Sequence, residues 1–166
     1  MHKLVEAARR EAMKFYHGYV SGTVSNLEKI LECFPGWTKE EADGLWCAAF
    51  VYHCCRLSGF GIPIRPRGAV TCHLGGCIAW EEWALVDARV AYFGKGGDIV
   101  PQPGDIVLFD RVFHNSEHDH IGVVLEVKDG SIVTAEGNFN NVSCIVERKM
   151  DEHIRGLIRI PENYVY

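Results

Sequence analysis

The chain has 166 residues, 48% of them hydrophobic and 23% charged, with a net charge of −5. That length suits one domain with a sizeable core, and the lack of any Lys/Arg cluster excludes non-specific binding to nucleic acid or to an anionic membrane surface. No apolar run is long enough to span a bilayer, and Met1 to Glu11 lacks the apolar centre of a signal peptide.

From that start the chain is expected to be made in the cytoplasm, and to stay there, to leave by another route, or to follow a leader that lies outside this sequence. Cysteines stand at 33, 47, 54, 55, 72, 77 and 144. An odd number at irregular spacing reads as mostly reduced thiols rather than a disulfide framework. Cys72, His73 and Cys77, and the run His53-Cys54-Cys55, are zinc-ligand residue types. No paired C-x2-C spacing accompanies them, so packing is their expected role and no metal or other cofactor is expected.

Residues 3 to about 19 are predicted as an amphipathic helix, with Leu4, Ala8, Ala12, Phe15 and Tyr19 on one face and glycines 18 and 22 closing it. Ser25-Asn26-Leu27-Glu28 has the capping-box pattern for a short helix through Leu31, which Pro35-Gly36 breaks. Thr38-Lys39-Glu40-Glu41 repeats the pattern before a short turn. The next helix runs from Cys47 to about Leu57, burying Phe50, Val51, Cys54 and Leu57. Residues 61–68 read as irregular loop and Cys77–Val86 as a helix with Trp80, Trp83 and Leu85 or Ala84 inward; Tyr92-Phe93 ends that region, and Gly94-Lys95-Gly96-Gly97 is loop. From Pro101 the pattern changes. Pro103-Gly104-Asp105 is a turn launching the strand Ile106–Phe109, and further strands are expected over His120–Val127, Ser131–Asn138, Val142–Val146 and Ile154–Ile160.

Two distant segments carry candidate chemistry. Cys47 opens a helix, where the helix dipole and unpaired N–H groups favour thiolate. Its backbone N–H is an expected oxyanion donor. His120 opens a strand, and Glu136 and Asn138 lie on the next. A three-residue turn at Lys128-Asp129-Gly130 pairs Val127 with Ser131 and sets His120 opposite Asn138, with Glu136 diagonal on the same face. A two-residue turn at Asp129-Gly130 would shift the pairing by one and turn Glu136 to the wrong face. The first register is preferred. It gives nucleophile, base and orienting group in the order that covalent catalysis requires. His53, six residues beyond Cys47, points away and reads as structural, as does Asp105 in its turn. His114, Glu117, His118 and Asp119 read as a solvated loop beside the cleft.

Trp46-Cys47-Ala48-x-Phe50-Val51, Pro103-Gly104-Asp105-Ile106-Val107-x-Phe109, His120-Ile121-Gly122-Val123-Val124 and Glu136-Gly137-Asn138 come in the order and spacing of the CHAP domain. The chain resembles these cysteine- and histidine-dependent amidohydrolases/peptidases of the NlpC/P60 superfamily from about Trp37 to Ile160. The resemblance implies a papain-like α+β fold, with N-terminal helices packed on a C-terminal antiparallel sheet. It also implies hydrolysis of amide bonds in bacterial peptidoglycan. By position Cys47 would be the nucleophile, His120 the base, Glu136 the orienting group and Asn138 an assistant, with Trp46 as a weaker candidate for touching substrate. One domain, 1–166, is expected, with 1–36 as a helical extension and 37–160 as the core. The same site on a non-wall amide or lipid, or a binding module without turnover, are the alternative expectations.

Overall fold

The computed structural model describes residues 2–166. Five helices, α1 (Lys3–Ala12), α2 (Glu28–Leu31), α3 (Lys39–Ala42), α4 (Cys47–Leu57) and α5 (Cys77–Val86), precede a six-stranded sheet. Its strands are β1 (Ala91–Gly94), β2 (Ile106–Phe109), β3 (His120–Lys128), β4 (Ser131–Phe139), β5 (Val142–Lys149) and β6 (Ile154–Arg159). They lie in the order β1-β6-β2-β3-β4-β5, every pair antiparallel. The architecture is the α+β class that the sequence predicts.

Alternation along the strands decides which face is covered by what. Ile106, Leu108, Ile121, Val123, Leu125, Ala135 and Ile158 join the helices in the main core, with Leu4, Ala8, Phe50, Val51, Trp80 and Trp83. Val107, Phe109, Val124, Ile132, Ile154 and Leu157 form a second, smaller cluster on the opposite face. Helix α4 lies across β3 and β4. Gly137 permits this close approach, because a Cβ there would stand 2.4 Å from Phe50 Cβ and 2.8 Å from the Trp46 ring.

The N-terminal helix is shorter than the sequence suggests. It ends at Ala12, Phe15 takes a positive φ of 56°, and Phe15 and Tyr19 turn outward rather than extending the buried face of Leu4, Ala8 and Ala12. Beyond the helix the chain runs as a strap along β5. Tyr16 N–H donates to Ser143 Oγ at 2.9 Å, Ser143 N–H to the Tyr16 carbonyl at 2.8 Å, and His17 bridges Val142. The Thr38 box forms in full, but the Ser25 pattern does not, since the Ser25 hydroxyl donates to the His17 carbonyl instead. Buried Glu11 accepts from Tyr16 Oη at 2.9 Å and meets His53 Nε2 at 3.1 Å, pinning α1 to α4. His53 is thus structural. Asp105 likewise serves its turn, accepting from Gln102 N–H and from the Arg159 guanidinium.

Two differences in the sheet have clear causes. Strand β1, where the sequence reading ended the helical region at Tyr92-Phe93 and began a loop at Gly94, is a four-residue edge strand paired with β6, too short to show a period. The β3–β4 hairpin closes with Lys128 opposite Ser131, which is the two-residue turn and not the three-residue turn preferred from the sequence. Yet Val124 faces Thr134 and Val123 faces Ala135, because the pairing slips by one residue at Leu125. This bulge undoes the shift made by the turn and restores, next to the site, the register expected for His120 and Glu136.

Candidate active site

Cys47 is the first residue of α4 and is buried except for the edge it shows to a cleft of about 780 Å³. The cleft is walled by Trp37, Leu45 and Phe113, by histidines 73, 114 and 118, and by asparagines 138, 140 and 141. Its lining begins at Trp37, so residues 2–36 form no part of it. Trp46, offered by the sequence as a substrate contact, has no exposed surface. Its indole N–H donates to Asn141 Oδ1 at 2.9 Å and its ring packs under Gly137. Trp37 takes the cleft position instead.

His120 is fully buried at the start of β3, with Phe109 stacked along its ring and Phe113 edge-on at 4.8 Å. Its Nε2 meets Glu136 Oε2 at 2.7 Å. That leaves Nδ1, which is buried without a hydrogen-bond partner, as the ring nitrogen to serve Cys47. A carboxylate on Nε2 fixes the tautomer and favours imidazolium.

Glu136 is buried on all sides and holds four contacts. Besides His120 it accepts from Thr134 Oγ1 at 2.7 Å, from Arg148 Nε at 2.8 Å and from Arg148 Nη2 at 2.7 Å. The guanidinium in turn lies over the rings of Phe109, Phe113 and Phe139. Burial alone would raise the Glu136 carboxyl, but Arg148 and then His120 outweigh it and hold its pKa down to about 2. Burial also opposes charge on His120, yet the neighbouring Cys47 and Glu136 raise it to about 9.

The thiol of Cys47 is pulled well below its ordinary value. The largest cause is a second thiol, Cys77, whose Sγ lies 3.6 Å from Cys47 Sγ. His120 and the Ala48 N–H add to it against the cost of burial. Cys77 moves the opposite way and stays protonated, because it faces the Cys47 thiolate and is itself buried. Cys77 is the first residue of α5, so two helix N-termini converge on one pair of sulfurs.

Asn138 is brought to the cleft but not to His120. It sits where β4 slips against β5, with φ of 61°, and its Nδ2 donates to the Gly44 carbonyl at 2.8 Å. Asn141 complements it, accepting from the Gly44 N–H at 3.2 Å and donating to Asp43 Oδ1 at 2.7 Å. Together they hold both sides of Gly44, three residues before Cys47. Asp119 accepts from the N–H groups of Val112, Phe113 and His114, shaping the loop above the cleft, and His118 pairs with Glu81.

Sequence reasoning missed Thr134, Arg148, Asn141 and Cys77. Arg148 and Thr134 share the strand parity of Glu136, a signal that the sequence does carry. Cys77 gives none, because its meeting with Cys47 depends on how two loops pack. Among the described residues, no group of three or more His, Cys, Asp or Glu is placed to hold a metal ion, and no helix is long and apolar enough to cross a membrane.

A thiolate at a helix N-terminus, an oriented imidazolium and a buried carboxylate can support nucleophilic attack with acid–base transfer. A family model for the CHAP domain matches residues 38–138, more than half of the chain. No curated protein matches it.

Proposed function

The chain belongs to the CHAP domain family, and on that premise we propose that it is a cysteine amidohydrolase/peptidase cleaving amide bonds in bacterial peptidoglycan peptides through an acyl-enzyme. Members of the family are typically hydrolases, amidases or peptidases, and peptidoglycan is the substrate that membership suggests. The observation that carries the reading is the line from Cys47 through His120 to Glu136, with the 2.7 Å His120–Glu136 contact buried behind an open cleft.

In this mechanism Cys47 Sγ attacks the amide carbonyl, and the Cys47 N–H at the start of α4 donates to the developing oxyanion. His120 Nδ1 carries the proton and delivers it to the leaving amine. Water, deprotonated by the same nitrogen, then releases the acyl group. Glu136 keeps the imidazole aligned through both steps, and the Arg148 fork keeps Glu136 ionised. Asn138 acts on this reading by fixing the Gly44 loop that presents Cys47.

The test is mass spectrometry of fragments released from purified sacculi by the protein and by Cys47→Ala. New amine ends that need the intact thiol are expected, and their masses identify the bond. No release from several wall chemistries, with Cys47 still alkylated rapidly, would move the site to a non-wall amide. An unreactive Cys47 would instead point to a binding module.

A further inference from the structure

Cys77 takes no step in the acyl-transfer scheme, yet it lines the cleft beside Cys47. Its Sγ is 3.6 Å from that of Cys47, both cysteines are free, and they are 8% and 7% exposed at the same opening. Each is the first residue of its helix. A disulfide needs the sulfurs at about 2.05 Å, so closure asks for an approach of roughly 1.5 Å between two side chains that already point at each other.

We propose that Cys47 and Cys77 are a reversible oxidation site, in which a hydroperoxide converts the reactive thiolate to a sulfenic acid and Cys77 closes it to an intramolecular disulfide. In the first step Cys47 Sγ attacks the terminal peroxide oxygen. The O–O bond breaks, the sulfur loses two electrons, and the peroxide leaves as hydroxide or alkoxide. In the second step Cys77 sulfur attacks Cys47 sulfur. The S–S bond forms, the S–O bond breaks, and the hydroxyl leaves with the Cys77 proton as water.

The pair supplies its own timing. Cys77 is held protonated first of all by the Cys47 thiolate beside it. Oxidation turns that thiolate into a neutral sulfenic acid and so removes the first of the causes that hold Cys77 protonated, with burial remaining. A dithiol reductant reverses the bond by exchange. The disulfide would cover the sulfur that attacks the amide, and would spare it from the irreversible sulfinic stage.

Cys72 is the competing partner, because its Sγ stands 2.5 Å from where a Cβ on Gly76 would be, next to Cys77. The experiment therefore maps the bond. The reduced protein and its Cys77→Ser variant are treated with a few equivalents of hydrogen peroxide, because the sulfinic stage consumes a second peroxide per thiol, then blocked with iodoacetamide and digested without reduction for mass spectrometry. The wild type is expected to give the Cys47 and Cys77 peptides joined and two hydrogens lighter, with Cys47 alkylation restored by dithiothreitol. Cys77→Ser is expected to carry Cys47 as sulfinic acid, which dithiothreitol does not restore. Sulfinic Cys47 forming equally in both proteins, or a cross-link from Cys47 to Cys72, would overturn the proposal. These readouts follow thiols and not turnover, so their failure is separable from a failure to release wall fragments.

Discussion

Arg148 grips both oxygens of Glu136, with Nε to Oε1 at 2.8 Å and Nη2 to Oε2 at 2.7 Å, and shares Oε2 with His120 Nε2. The site is therefore four charges long and alternates in sign: thiolate, imidazolium, carboxylate, guanidinium. Its sum is zero, which is how a buried row of ions remains tolerable in a medium of low polarity. Removing any one member leaves a neighbour uncompensated.

Arg148→Met tests that statement. It leaves Glu136 buried with His120 as its only cation, and a broken buried pair costs about 3–5 kcal/mol. The midpoint of urea unfolding should fall accordingly. Arg148→Lys keeps the charge but not the fork, and should recover only part of the loss. The sign with pH follows from the depressed Glu136: its stabilisation is full above about pH 4.5 and is lost as pH falls towards 2. Acid unfolding should therefore begin at higher pH in Arg148→Met.

The rate should depend on pH in a window set by Cys47 below and His120 above. Alkylation of Cys47 by iodoacetamide should already be fast at pH 6, where an ordinary thiol of pKa about 8.5 is almost wholly protonated. Turnover should decline above about pH 9, as His120 loses the proton it donates to the leaving amine. Glu136→Gln removes the charge that helps raise His120. Its upper limb should move towards the ordinary histidine value of about 6.5, with kcat/KM lower by about 10²-fold or more.

Cys77 should tune the acidity of Cys47 under reducing conditions. Cys77→Ala removes the donor and should raise the pH midpoint for alkylation of Cys47. Cys77→Ser keeps a donor in nearly the same place and should hold the midpoint close to that of the wild type. Equal midpoints in all three proteins would mean that His120 and the helix N-terminus suffice.

Asn138 and Asn141 predict a loss of order rather than of chemistry. Each alanine variant frees one side of Gly44 and costs about 1 kcal/mol of stability for its lost hydrogen bonds. The double variant should react more slowly with amide substrate while its pH limbs stay in place. A shift of the upper limb would instead mean that Asn138 acts on His120.

Gly137→Val is expected to be severe, since the added Cβ meets Phe50 and Trp46 below 3 Å. The helix bearing Cys47 must then lift from the strand bearing Glu136. Overpacking of this kind costs about 1–3 kcal/mol or more, and alkylation of Cys47 should slow towards that of an ordinary thiol.

Much of this site is legible in the sequence because its members obey simple periods. Cys47 heads an apolar helix, and His120 and Glu136 lie at the parity that puts them on one face of adjacent strands. The same periods overextend helix α1, because Phe15 and Tyr19 fit the apolar repeat although the helix stops at Ala12 and Phe15 takes a positive φ beyond it. They also assign Asn138 to His120, and that regularity breaks where β4 slips against β5. Cys77 is illegible for a different reason. Its distance from Cys47 is set by tertiary packing around Gly75 and Gly76, and no local pattern records it.

The slip at Leu125 divides the β3–β4 hairpin into two parts with separate tolerances. Beyond it, residues 126–131 can be rebuilt around another turn, or carry a grafted peptide, while His120 and Glu136 keep their places. Deleting Leu125 itself would remove the extra residue of the bulge and join the Val124–Thr134 pair directly to Glu126–Val133, leaving His120 and Glu136 on one face. A residue deleted between His120 and Val124 would instead move the imidazole one place along the ladder and turn it to the face opposite the carboxylate, in a protein of almost unchanged length and composition. A single missing codon there would disarm the site more surely than many substitutions at the tip.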